Sequence, residues 1–440
     1  MRALSRVLRF AMILAFIPGA AFAQAAPLRL SLHDAITLAR TQSTAAVLAG
    51  IRADEIDARV PQRRADLLPN VSVAVGDGGR TYNTASFGLP LPGFDPQGSI
   101  IGPVRTVDMR ARVLMNLYDP AARARYHGAQ AVADSADLGH EAAKDAAALV
   151  AATAYLRALR ADANLAARAA DSSNAAQLVE IAHQLLEAGV GVALDVTRAE
   201  AQSANGRTQT AAARNEQRQA MLALRRALGV PLTQLIVLTD PLDAPPATVP
   251  VESEAITMAL QARPELRAAA AGAHAAQLAR NAAGAGKLPA VSAFLDQGYT
   301  SSGWGHLLRT YAFGVQLSVP IFEGGRSDGR VDEQDAILRA AELRVADLNE
   351  QVSLEVRSAL LDLSSATEQV ALARERLRLG EAELSQAQER FRAGVAGNAD
   401  VIIALLALTT SRTQLIDAGT SVRYAQVSLA RAEGRIAEIQ

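Results

Sequence analysis

Two segments of the chain alternate strictly between apolar and polar positions. From Thr106 to Tyr118, the residues Val107, Met109, Ala111, Val113, Met115 and Leu117 fall on one side. Asp108, Arg110, Arg112, Asn116 and Tyr118 fall on the other, with Leu114 the one exception. From Tyr311 to Phe322, Tyr311, Phe313, Val315, Leu317, Val319 and Ile321 oppose Ala312, Gly314, Gln316, Ser318 and Pro320. A period of two predicts strands with one apolar and one polar face. Val71, Val73 and Val75 open a partner strand before the first, and Val291 to Tyr299 forms one before the second. The predicted strand hairpins span about 69–118 and 289–322, four strands in all.

The pattern elsewhere is helical. Proline is absent from Arg123 to Ala188 and from Arg326 to Ala393, and each run would make a helix of ~100 Å at 1.5 Å per residue. The second run keeps a heptad of Leu363, Val370, Leu377, Leu384 and Phe391, with Ala366, Ala373, Gly380 and Ala387 three residues after the first four. The segment after it keeps Val401, Leu408, Leu415, Val422, Leu429 and Ile436, accompanied by Ala404, Ser411, Ala418, Ala425 and Ala432. The first run's heptads are weaker, Leu149, Ala152, Leu156 and Leu159 fitting one. A 3.5-residue period gives left-handed coiling, and small seam residues let backbones approach closely. Antiparallel coiled-coil hairpins over 123–228 and 326–439 follow. Their turns fall at Gly189–Asp195 and Gly394–Asp400, where Asp195 and Asp400 occupy expected N-cap positions.

The order of elements occurs twice. Ala35, Ile36, Thr37, Leu68, Pro69, Val71 and Ser72 recur without a gap 220 positions on, as Ala255, Ile256, Thr257, Leu288, Pro289, Val291 and Ser292. Ala188, Gly189, Val190, Asp195 and Val196 recur at an offset of 205, as Ala393, Gly394, Val395, Asp400 and Val401. The offset falls because the first copy has the longer strand loop, Gly76 to Pro103, against Ser301 to Arg309. Such a tandem duplication excludes most enzyme folds. The first repeat spans 24–228, a proline-rich linker 229–250, and the second repeat 251–440. Leu32 to Arg59 and Glu252 to Ala283 are predicted as the short helices that open each repeat.

Composition sharpens the picture. Half the residues are hydrophobic yet only 4% are aromatic, and alanine makes up much of the difference, as close-packed helices require. The net charge of −1 supplies no basic field for nucleic acid. Arg2, Arg6 and Arg9 precede an apolar stretch, Phe10 to Ile17, and Ala21-Phe22-Ala23 ends it. Residues 1–23 are therefore expected to be a secretory signal peptide. No later segment is predicted to be a transmembrane helix, the longest aliphatic run being Val401 to Leu408. The few aromatics, including Tyr82, Phe87, Phe94, Tyr118, Tyr299, Trp304, Tyr311 and Phe322, gather in or beside the strand hairpins, as at the two interfaces of a membrane barrel. The polar strand face, with two arginines and an aspartate, suits a wet lumen. An exported chain without a spanning helix can cross a membrane only as a closed barrel. Four strands cannot close alone, so several chains must contribute.

At this point the chain resembles the TolC-like outer-membrane efflux proteins. The residues that carry the resemblance are Leu67-Leu68-Pro69 and Lys287-Leu288-Pro289 entering strands, and Leu117-Tyr118-Asp119 and Ile321-Phe322-Glu323-Gly324-Gly325-Arg326 leaving them. The two tip motifs, from Ala188 to Val196 and from Ala393 to Val401, complete the set. The resemblance implies a mainly α fold with a β-barrel portion. In it the duplicated hairpins form a trimeric α-helical barrel across the periplasm, and four strands per chain contribute to a twelve-stranded barrel in the outer membrane. It further implies a homotrimer, a periplasmic adaptor and an inner-membrane pump as partners, and a passive exit duct for small molecules. Asp108, Arg110, Arg112 and Gln316 are the expected lumen-facing strand positions. Gly189, Asp195, Gly394 and Asp400 form the expected periplasmic tip. Asp400 matches an acidic gate position of the family, while the position three residues on is Ile403.

Other chemistry is weak. Gly284-Ala285-Gly286-Lys287 lacks the spacing of a phosphate loop and fits a helix-to-strand connection. His33, His127, His140, His183, His274 and His306 show no metal-ligand spacing. No catalytic, cofactor or metal site is predicted. A soluble periplasmic coiled-coil adaptor is the competing reading. It explains the helical hairpins but not the two amphipathic strand hairpins.

Overall fold

The computed structural model describes residues 27–87, 98–242 and 249–439. The expected signal peptide and Phe94 lie outside the described residues. The chain runs β1 (Leu28–Leu30), α1 (Leu32–Gln42), α2 (Thr44–Asp57), α3 (Arg59–Ala65), β2 (Asn70–Asn83), β3 (Ile100–Tyr118), α4 (Pro120–Glu187) and α5 (Ala193–Leu228). The second half runs β4 (Ile236–Leu238), α6 (Glu252–Ala262), α7 (Pro264–Ala285), β5 (Ala290–Ser301), β6 (Leu308–Ser318), α8 (Arg326–Arg392) and α9 (Asn398–Ala432).

The long helices α4 and α8 have 68 and 67 residues. The return helices α5 and α9 are about half that length, 36 and 35 residues. Each long helix therefore needs other partners along its first half. Toward the tip the helices lie abreast in the order α5, α4, α9, α8. Toward the strands the order is α2–α3, α4, α7, α8. The expected seam is present. Leu363, Ala366, Ala373, Gly380, Leu384 and Phe391 of α8 are buried, as are Val401, Ala404, Leu408, Ser411, Ala418, Val422, Ala425, Leu429 and Ala432 of α9. A methyl on Gly380 would lie 3.4 Å from Ser411 Oγ and 3.6 Å from Leu408 Cα, which leaves room for nothing larger.

The structure departs from the sequence pattern at several places. The helices that open each repeat are broken, at Ser43 and at Arg263. These positions are equivalent at the offset of 220. Ser43 caps α2 through Ala46 N, whereas Pro264 holds Arg263 extended. Six strands are described rather than four. In the segment predicted as a linker, β4 pairs in parallel with β1. Ile236 packs there with Leu30, Ile36, Leu156 and Leu224 around Tyr155. The Tyr155 hydroxyl donates to Leu30 O at 3.1 Å and accepts from Asp240 N at 3.4 Å; burial pushes its pKa well above the usual tyrosine range. The α9 heptad also overruns its helix, because Gly434 turns left-handed at φ 75°, and Ile436 is buried from a short 3₁₀ turn.

Helix α9 is long and apolar enough to cross a membrane by length and composition, which the short aliphatic run did not indicate. Charged residues along its middle are engaged within the helical layer. Arg412 donates to Asp171 at 2.9 Å, and Asp417 accepts from Arg160 at 2.7 Å.

Candidate channel wall and tunnel tip

The four long strands form one antiparallel sheet in the order β2-β3-β5-β6. Its middle pairing, β3 with β5, joins the two repeats. The register places odd residues opposite odd residues throughout the central part. One row reads Val71, Val113, Leu295 and Phe313 across the sheet, and a second reads Val73, Ala111, Gln297 and Tyr311. The apolar positions of both hairpins thus share a single face. A one-residue slip at β3–β5 would have put the two hairpins' apolar sets on opposite faces.

The other face carries ion pairs. Arg112 donates to both carboxylate oxygens of Asp296, at 2.6 and 3.1 Å, and Arg110 to those of Asp108, at 3.2 and 2.8 Å. Gln316 lies beside Ser292 in the row of Asn116, so the four expected lumen-facing positions lie on one face of the sheet, spread along its strands. Sequence reasoning missed Asp296. Its signal was its even position in β5, in phase with Gln316. Leu114, the exception to the alternation, is matched by Phe294 opposite it. Phe294 in turn lies over Gly314, where an added methyl would meet the ring at 2.9 Å.

Two boundaries differ from expectation. Between Asn116 and Tyr118 the register shifts, and Tyr118 pairs with Val291. This bulge turns Tyr118 to the apolar face, away from the polar face predicted for it. Strand β6 ends at Ser318, not Phe322, because Pro320 has no N–H for a ladder; Ile321 and Phe322 follow it almost wholly exposed. At the far end, glycines 76, 78 and 79 do not end β2, which continues to Asn83. There Asp77 accepts from Arg105 at 2.8 Å and from Trp304 Nε1 at 3.0 Å.

The two tips are built alike. Gly189 and Gly394 have φ of 73° and 69°. Gly189 N donates to Leu186 O and Val190 N to Leu185 O; Gly394 N donates to Phe391 O and Val395 N to Arg390 O. Both helices therefore end in a Schellman turn, which needs a residue free of Cβ strain at the left-handed position. The expected N-cap role of Asp195 and Asp400 is not found. The caps are Val192 and Gly397, neither with a side-chain bond, and the aspartates sit in the first turn. Each helix starts three residues earlier than expected, at Ala193 and Asn398, and the carboxylates in the first turn face the positive helix end. Asp400 is exposed and Asp195 half-buried. The tips touch through Asn398, fully buried, whose Nδ2 donates to Asp195 O at 2.6 Å. Sequence reasoning missed this contact, since a single asparagine after glycine gives no signal.

A sheet with one apolar and one ion-paired face, carried on two helices of 68 and 67 residues, each about 100 Å long at 1.5 Å per residue, is the geometry of a channel wall. The chain belongs to the outer membrane efflux protein family, whose model matches residues 36–230 and 255–435. That family resides in the outer membrane, with its helices reaching into the periplasm, and a soluble adaptor is not favoured. Protein CyaE of Bordetella pertussis is 26% identical over 414 residues, 92% of this chain and 84% of that protein. The fold is similar to that of the CmeC outer membrane channel of Campylobacter jejuni, with TM-score 0.79, 17% identity, and 92% of this chain and 86% of that one covered. It is also similar to the open-state MtrE outer membrane channel of Neisseria gonorrhoeae, with TM-score 0.75, 18% identity, and 92% and 89% covered.

Proposed function

We propose that three copies of this chain close one continuous duct, a twelve-stranded barrel in the outer membrane above a helical tunnel in the periplasm. The duct gives small molecules a passive exit route, fed by a periplasmic adaptor and an inner-membrane pump. The observation that carries this reading is the common apolar face of the four strands. That face meets lipid, and the Arg112–Asp296 and Arg110–Asp108 pairs line the water-filled lumen. The free edges of the sheet, β2 and β6, are too long to leave unpaired. The reading is tested by fractionation and planar-bilayer recording. Heat-resistant oligomers in the outer-membrane fraction that give discrete conductance steps are expected. A monomer in the soluble periplasmic fraction would overturn it.

The tip supplies the resting constriction. The exposed Asp400 of three chains converges on the axis, while Asp195 lies off it, its backbone tied to Asn398. Repulsion among three carboxylates is felt within about a Debye length, ~8 Å at physiological salt. Asp400→Asn is expected to lower cation selectivity and weaken block by multivalent cations. Asp195→Asn is expected to leave both unchanged and to cost only a few tenths of a kcal/mol of helix-end stability. Equal bilayer behaviour of the two variants removes Asp400 from the gate.

A further inference from the structure

The apolar face of the sheet changes character at one end. Among the strand residues on that face, only Asp77, Arg105 and Arg309 are charged. All three lie in the last rows before the hairpin loops. The row of Val75, Met109, Tyr299 and Arg309 comes first, then Asp77, Val107 and Ser301, then Gly79 and Arg105. The opposite ends of β3 and β6 lead into α4 and α8, so the charged end points away from the helices. The height fits a membrane boundary. From Val291, the partner of Tyr118, to Ser301 is a step of ten residues, or ~33 Å along a strand. At a tilt of about 40° this gives ~25 Å, the height of the apolar band of an outer-membrane barrel. The three charges therefore stand at the level of the lipid headgroups on the outer side.

These groups are organised. Trp304, from the loop between β5 and β6, reaches across β3 and donates Nε1 to Asp77 at 3.0 Å. Val107, the β3 residue in the row of Asp77, is fully buried. Arg105 gives its Nε and Nη2 to the two oxygens of Asp77, which leaves the Nη1 edge open for a second acceptor. Arg309 is exposed and has no ion pair among the described residues. Two arginines against one aspartate leave this lipid-side rim positive. A guanidinium matches phosphate through parallel hydrogen bonds. Around the arginines, Tyr299, Tyr311 and Trp304 are all exposed, as aromatic rings are where acyl chains give way to headgroups.

We propose that this rim binds the phosphorylated headgroup of an outer-leaflet lipid, with Arg309 and the open edge of Arg105 on the phosphate oxygens. This rests on the barrel reading given above. Asp77 is a positioning residue, since it fixes the Arg105 fork. The backbones at Arg105 and Arg309 are two strands and four residues apart, ~16 Å on the diagonal. Two arginine side chains across that span suit a headgroup with two phosphates. Free phosphate would leave the three aromatic rings without a ligand.

Trp304 is the chain's one tryptophan, so its fluorescence reports from the rim alone. Protein purified from outer membranes in mild detergent is titrated with diphosphoryl lipid A, with the same lipid dephosphorylated, and with inorganic phosphate. A saturable shift of Trp304 emission is expected with the first. Binding of the dephosphorylated lipid should be weaker by more than about tenfold, and Arg309→Gln should weaken the diphosphoryl lipid about fivefold. Arg309→Lys should restore most of that loss, and inorganic phosphate should give no shift. Equal affinity for the two lipids, unchanged affinity in Arg309→Gln, or the same response to inorganic phosphate would overturn the headgroup site. A second measurement separates this from failure of the barrel. In phosphatidylcholine vesicles with brominated acyl chains, Trp304 should be quenched in both the parent and Arg309→Gln. Absence of quenching in the parent would contradict the barrel reading itself.

Discussion

Val113→Lys is expected to cost about 2–4 kcal/mol of barrel stability, the cost of a lysine on the lipid face at the bilayer midplane. Val113 sits between Val71 and Leu295, with Phe313 completing an uninterrupted apolar row. No cationic or acidic partner lies in that row. Its neighbour Arg112 gives the control. Arg112→Lys keeps the charge beside Asp296 and loses only one of two hydrogen bonds to it, so a small change is expected. Urea unfolding of folded protein in lipid vesicles reads both. Equal midpoints for the two variants would place Val113 away from lipid.

Gly380→Leu is expected to cost about 1–3 kcal/mol through overpacking. The α8–α9 seam offers a single methyl's space at this site, bounded by Ser411 Oγ at 3.4 Å and Leu408 Cα at 3.6 Å. Gly380→Ala fills that space and removes a helix-weakening glycine, worth up to about 1 kcal/mol in its favour. The two substitutions therefore have opposite signs at one position. Thermal unfolding followed by circular dichroism distinguishes them. A leucine variant as stable as the alanine variant would move the seam elsewhere.

The strand faces and the helical seams were legible because each depends on a period within one element. The two-residue period of β3 and β6 predicted which side chains share a face, and the heptads of α8 and α9 predicted their buried positions. What was hidden depends on a partner far along the chain. Asp296 acquires its meaning only when β5 pairs with β3, and the bulge that turns Tyr118 arises from that same pairing. The small β1–β4 sheet joins three-residue strands more than 200 positions apart, too short to show any period. The aspartates at the tips fall in the first turn because the helices start three residues earlier, from Val192 and Gly397, and an aspartate at the start of a helix reads alike as a cap or as a first-turn residue. The duplication was visible at once, yet how the two repeats dock on each other needed the structure, since only the observed α4–α9 and α4–α7 contacts show it.

In the proposed assembly, four strands per chain are one third of a closed barrel. Native mass spectrometry of the protein extracted from outer membranes in a mild detergent tests it most directly. A single species with the mass of three mature chains is expected. A monomer, a dimer or a ladder of masses would contradict it, because only a complete ring leaves no strand edge open in the membrane.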